Sequence, residues 1–113
     1  MPFIQTRTNK SISVDQEINI KSKLGEAITL IGKSESWLML DFVPECNMYF
    51  KGDNSIDIAY IDVKLYGRAD SNSYNAMTQA ITKIINEELE IDPSNIYVSY
   101  TEIDNWGWNG NNF

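Results

Sequence analysis

The sequence predicts an α+β fold, a four-stranded sheet carrying two helices on one face, assembled from a strand-helix-strand unit used twice. Three observations lead there. Two segments place apolar residues at spacings of three and four, the pattern of a helix with one buried stripe. Each is preceded and followed by a short run rich in β-branched and aromatic residues. The order then repeats: the helix ends at Gly32 and Asp92, and the strands starting near Trp37 and Ile96, lie about 60 residues apart. A chain of 113 residues suits a single domain spanning residues 1–113, large enough to bury a core without staples.

Phe3–Arg7 reads as the first strand and Thr8–Ser11 as the loop leaving it. Ser13 with Gln16 three residues on is a capping box, and Ile20, Leu24, Ala27, Ile28 and Ile31 form the stripe of the first helix. Gly32 closes it, since a residue without Cβ enters the left-handed conformation at no steric cost. Trp37–Val43 is apolar at nearly every position, broken only by Asp41, which predicts a strand buried on both faces. Pro44–Asn47 turns the chain, and Met48–Phe50 reads as a short added strand before the turn Lys51–Asn54. A strand through Ile56–Leu65 follows, then a turn at Tyr66-Gly67-Arg68. The second helix starts at Ser71 or Ser73, with Tyr74, Met77, Ile81, Ile84, Ile85 and Leu89 as its stripe. Asp92-Pro93-Ser94 breaks it, and Ile96–Ile103 is the last main strand. Right-handed crossovers put both helices on one face, so the other sheet face, with an apolar Trp37–Val43, is expected to pack on another copy of the chain.

Composition narrows the chemistry. With 9 Lys+Arg against 16 Asp+Glu the net charge is -7, and scattered basic residues argue against nucleic acid or an anionic membrane as partner. No apolar run reaches the length of a membrane span, and the first ten residues show no signal-peptide core. The chain has no histidine, which excludes Ser-His and Cys-His nucleophile pairs, imidazole acid-base catalysis and His-containing zinc sites; no metal or cofactor is expected. Cys46, the sole cysteine, forms no internal disulfide, lacks a basic cluster to activate it, and fits a reducing compartment.

What remains is the chain terminus, lysine, carboxylates and hydroxyls. Pro2 follows Met1, and initiator methionine is normally trimmed before a residue as small as proline, which leaves a secondary amine. Free α-amino groups titrate near neutrality, and burial or neighbouring positive charge lowers them further, so a prolyl nitrogen can act as a base where no histidine exists. Lys33, directly after Gly32, either neutralises a substrate carboxylate or complements the negative helix end. The carboxylates Glu87, Glu88, Glu90 and Asp92 have no metal-ligand spacing and read as a solvated face. The tail 104–113 carries two tryptophans and Phe113 in an otherwise polar stretch, so these rings need an apolar seat on a neighbouring subunit or in a pocket.

Several of these features together resemble one family. Met1-Pro2, the Gly32-Lys33 step, Ser73-Tyr74 opening the second helix, Asn95-Ile96-Tyr97-Val98-Ser99-Tyr100, and Trp106-Gly107-Trp108-Asn109 through Phe113 resemble macrophage migration inhibitory factor and its homologues in the tautomerase superfamily, along the whole chain. The resemblance implies a homotrimer in which three sheets enclose a channel and the active sites lie at subunit interfaces. It implies keto-enol tautomerisation of phenylpyruvate-like or dopachrome-like substrates, small aromatic keto or enol acids. Pro2 would be the catalytic base, Lys33 would hold the substrate's carboxylate or carbonyl side, and Val63 would offer a backbone N–H. Tyr97 and Ser99 would come from the next subunit, with Ser99 where the family commonly has asparagine. Trp37, Trp106 and Phe113 would line the pocket mouth, more aromatic here because Trp37 replaces a tyrosine and Trp106 an aliphatic residue. The Cys-x-x-Cys of the best-known members is absent from Ser55–Ile58, so its redox role is not implied. The resemblance also allows a second reading, a cytokine-like protein that meets a receptor and keeps a weak or vestigial tautomerase activity. The expected location is cytoplasmic, or outside the cell by release without a signal peptide.

Overall fold

The computed structural model describes residues Met1–Phe113. Its elements are β1 (Pro2–Thr8), α1 (Val14–Ala27), β2 (Met39–Val43), β3 (Ala59–Tyr66), α2 (Ser71–Leu89), β4 (Ile96–Ile103) and a small hairpin of β5 (Gly107–Trp108) and β6 (Asn111–Asn112). The main sheet runs in the order β2-β1-β3-β4. β1 pairs with β2 and β3 with β4 in parallel, while β1 and β3 meet antiparallel at the centre. Each unit contributes one parallel pair, and their central seam joins the two repeats as the tandem pattern predicts. No helix is long and apolar enough to cross a membrane.

Both helices form as their stripes require. Ser13 caps α1 with both halves of the capping box present, and Ile20 and Leu24 are fully buried. A 3-10 turn over Ile28–Ile31 tightens the end of α1 before Gly32 terminates it at φ 74°. α2 starts one residue after Asp70, whose side chain accepts from the Ser73 N–H. It buries Met77, Ile81, Ile84, Ile85 and Leu89 and ends at Glu90 in the left-handed region, two residues before the predicted stop. Asp92 instead caps the short 3-10 turn Pro93–Asn95. The stripes of both helices meet Ile4, Ala59, Ile61, Val63, Leu65 and Ile96 from the sheet in one cluster of 16 buried residues.

Three expectations need correction. The second strand begins at Met39, because Glu35–Trp37 winds into a 3-10 turn capped by the Ser34 hydroxyl and leaves Trp37 ahead of the sheet. Met48–Phe50 forms no strand: its pairing stops at a single bridge from Phe50 to Asp53, since Lys51 and Gly52 at positive φ reverse the chain at once. The third strand starts at Ala59 instead of Ile56. Ahead of it, side chains replace the ladder, with Asn9 Nδ2 donating to Ile56 O, Asn9 Oδ1 accepting from Ile58 N–H, and Thr8 Oγ1 donating to Ile58 O.

The face away from the helices is wetter than the apolar second strand predicts. Strand alternation turns Leu40 and Phe42 toward the core and leaves only Met39 and Val43, with Asp41 between them, to the open face. There Gln5 donates to Asp41 at 2.9 Å, Lys64 to Asp62 at 3.0 Å, and Tyr60 and Ser99 share a hydrogen bond of 2.7 Å. A second copy laid on this face would meet these hydrogen-bonding groups set among exposed Met39, Tyr60 and Tyr97, not an unbroken apolar layer.

Candidate functional site

Pro2 is the first residue of β1, buried, and paired with Leu65 at the end of β3. One residue past Leu65, the backbone of Tyr66 ties two candidate groups together. Its N–H donates to Met1 O at 2.9 Å, and its carbonyl accepts from Lys33 Nζ at 2.7 Å. Met1 and Lys33, thirty-two positions apart in sequence, are therefore brought to the backbone of one residue. Lys33 reaches it because Gly32 ends α1 in the left-handed turn and redirects the chain toward the sheet. Gly67 follows at φ 86°, a left-handed backbone that favours glycine, while a Cβ there would make only an ordinary contact with Nζ at 3.7 Å. The loop after Lys33 rests on α1 at Gly25, where any Cβ would overlap the Glu35 carboxylate.

The electrostatics suit a base. The Met1 amine lies below the ordinary value of 8.0, first because partial burial disfavours its charge and second because the Lys33 ammonium repels it. The Met1 nitrogen is therefore neutral over more of the neutral pH range than a solvated amine.

A row of aromatic rings adjoins the same place. Tyr66 packs on Phe113 with ring centroids 5.5 Å apart, Phe113 stacks on Trp108 at 6.4 Å, and Trp108 meets Trp37 edge-on at 4.9 Å. Phe113 is drawn in by its N–H donating to Trp106 O at 3.0 Å. Trp108 is carried by the β5-β6 hairpin, whose turn residues Asn109 and Gly110 both have positive φ. Of the rings expected at this mouth the row holds Trp37 and Phe113, with Trp108 and Tyr66 beside them, while Trp106 joins it only through its carbonyl. The Asn-Gly pair between two short runs was the available hairpin signal, and it would have placed Trp108 on a strand.

The other candidates lie elsewhere in one chain. Val63 is fully buried in β3, two residues before Leu65, between Ile4 and Tyr100. Tyr97 lies toward the opposite end of the sheet and Ser99 in its middle, beside Asp62. Tyr97 pairs with Tyr60, five residues down β3 from Leu65, and its exposed ring meets Phe50 at 5.1 Å. At about 3.3 Å per residue along a strand and about 4.8 Å between strands, Pro2 and Tyr97 are separated by about 20 Å. No side chain spans that distance, so one chain brings together Pro2, Lys33 and the aromatic row but not Tyr97 or Ser99. None of the five principal clefts on the chain is lined by Pro2 or Lys33.

Comparison with known proteins places this arrangement. The crystal structure of Leishmania major MIF2 superposes with a TM-score of 0.93, at 31% identity, over 100% of this chain and 97% of that one. A macrophage migration inhibitory factor homologue from Prochlorococcus marinus matches with a TM-score of 0.88 and 23% identity, over 98% of each chain. Pt0534, solved after inactivation by 2-oxo-3-pentynoate, shares the fold with a TM-score of 0.82 and 18% identity, over 96% of this chain and 92% of that one. No curated protein matches the sequence closely enough to add to these. The macrophage migration inhibitory factor family matches residues 1–113. With the doubled strand-helix-strand sheet, the start of β1 beside Lys33, and a family match from end to end, this chain belongs to the macrophage migration inhibitory factor family.

Proposed function

We propose that the protein is a keto-enol tautomerase acting on small aromatic 2-oxo acids of the phenylpyruvate type, with Pro2, freed of Met1, as its general base. The observation that carries this reading is the start of β1, where Pro2 lies opposite Leu65 and next to Tyr66, whose carbonyl holds the Lys33 ammonium beside a row of aromatic rings. Each part has a task. The Pro2 nitrogen takes the enol hydroxyl proton and returns a proton to the neighbouring carbon, a transfer worth typically about 10²- to 10⁴-fold in rate. Lys33, helped by the backbone of Val63, offsets the charge of the carboxylate and of the developing oxyanion. Trp37, Trp106 and Phe113 supply flat apolar surface for the substrate's ring.

Tyr97 and Ser99 enter from a neighbouring copy, since about 20 Å separates Tyr97, and about 14 Å Ser99, from Pro2 within one chain. This reading therefore includes a closed ring of identical chains, a homotrimer with its sites between subunits. That Pt0534 was inactivated by a 2-oxo acid supports a 2-oxo acid as substrate class here.

The test is ketonisation of enol-phenylpyruvate followed by absorbance, on protein whose intact mass shows Met1 removed. Turnover that falls in Pro2→Gly, which keeps a primary amine at the terminus, supports the assignment. Undiminished turnover in Pro2→Gly refutes the base, and no turnover from trimmed, assembled protein refutes the activity.

A further inference from the structure

We propose that Asn109 is a site of spontaneous modification, a deamidation that rebuilds the tail hairpin and loosens the aromatic row beside Lys33 and the chain start. Asn109-Gly110 is the sole Asn-Gly pair in the chain. The reaction needs the Gly110 backbone nitrogen to attack the Asn109 side-chain amide carbon. Both groups are available: the two residues are exposed, and neither the Gly110 N–H nor the Asn109 side chain is held by a hydrogen bond. Gly110 has no Cβ to obstruct the approach. By contrast Asn9, Asn19 and Asn86 have their side-chain amides engaged, and every other asparagine precedes a residue with a side chain.

The balance is simple. The new Gly110 N–Cγ bond forms as the Cγ–Nδ2 bond breaks and ammonia leaves, giving a five-membered succinimide. Water then opens the ring: breaking the Cγ–N bond gives aspartate, and breaking the backbone C–N bond gives isoaspartate, whose chain runs on through Cγ. No oxidant or partner protein is required. Each product carries one added negative charge and about 1 Da of added mass.

The two products differ in what they do to the hairpin. Asp-Gly suits the same two-residue turn as Asn-Gly, so aspartate keeps the pairing of Trp108 with Asn111 and of Gly107 with Asn112. Isoaspartate routes the backbone through the side-chain methylene and lengthens the turn by one atom. Register in so short a hairpin is set by its turn, so those pairs separate. Trp108 then leaves its edge contact with Trp37 and its stack on Phe113, which in turn packs on Tyr66. The consequence for turnover rests on the tautomerase reading above; the modification and the ring movement do not.

The experiment ages the trimmed protein for days at mildly alkaline pH, alongside Asn109→Gln and Asn109→Asp. Peptide mass mapping, isoaspartyl methyltransferase labelling and tryptophan fluorescence are followed together. The expected result is added mass and methyl acceptance at the Asn109 peptide before any other asparagine, none at that position in N109Q, and a fluorescence change in the aged wild type but not in fresh N109D. Modification at other asparagines first overturns the site. Modification with unchanged fluorescence, or an equal change in fresh N109D, overturns the register mechanism. Should fresh protein show no tautomerase turnover, that reading fails while the mass and fluorescence results still decide this one.

Discussion

Two inactive variants should restore each other when mixed. Within one chain Pro2 and Lys33 stand at one end of the sheet, while strand geometry puts Tyr97 about 20 Å and Ser99 about 14 Å away from Pro2. If a complete site takes its base and cation from one subunit and its hydroxyl groups from the next, the two sets can be damaged on separate chains. Pro2→Gly with Lys33→Ala removes the first set, and Tyr97→Phe with Ser99→Ala removes the second while keeping the ring that packs on Phe50. Losing a preorganised donor costs on the order of 10²-fold in turnover, so each homo-oligomer should be nearly silent in the enol-phenylpyruvate assay. After unfolding and refolding of an equal mixture, each site has one chance in two of an intact first set and one in two of an intact second set. About one quarter of the sites should recover wild-type turnover, whatever the number of subunits in a closed ring. Native mass spectrometry would establish that the chains have mixed. A mixed assembly with no recovered turnover would refute the shared site, as would a Tyr97→Phe/Ser99→Ala protein of full activity.

In the chain that keeps Met1, Lys33→Met should raise the pKa of the Met1 amine, because it removes the repelling charge, yet leave it below 8.0, because burial is the larger cause and remains. An NMR titration of the terminal residue would read this directly, and an unmoved titration would show that Lys33 does not act on the amine. The same depressed amine makes folding weakly pH-dependent: the unfolded chain binds the proton more readily just below 8.0, so stability should rise as pH climbs toward that value, and urea midpoints across that window would follow it. Phe113→Ala removes contacts with both Tyr66 and Trp108; at about 0.5–1.5 kcal/mol per aromatic pair the tail's packing should weaken by about 1–3 kcal/mol, and tryptophan fluorescence across a urea titration would follow the loss. Ile81→Ala, at a fully buried position of α2, should cost about 2–5 kcal/mol in urea unfolding; a loss under 1 kcal/mol would mean that the two-helix core collapses around the gap.

The sequence by itself determined the elements whose causes are local. Stripes at helical spacing, a capping box at Ser13 and Gln16, and Gly32 after the last buried turn specify α1, because each acts within a few residues of itself. The repeat of that order specified the two parallel pairs, and the missing histidines left the terminal amine as the natural base. Tertiary structure decided what depends on distant partners. Asn9 and Thr8 delay the start of β3 from about 50 residues away, and alternation assigns Leu40 and Phe42 to the core only after β2 is set beside β1. The meeting of Met1 and Lys33 on the Tyr66 backbone is likewise invisible to any spacing rule, since it joins three separate segments. So is the distance from Pro2 to Tyr97, which follows from strand register: pairing fixes where two residues lie across a sheet, and register is a property of the assembled strands, not of either sequence alone.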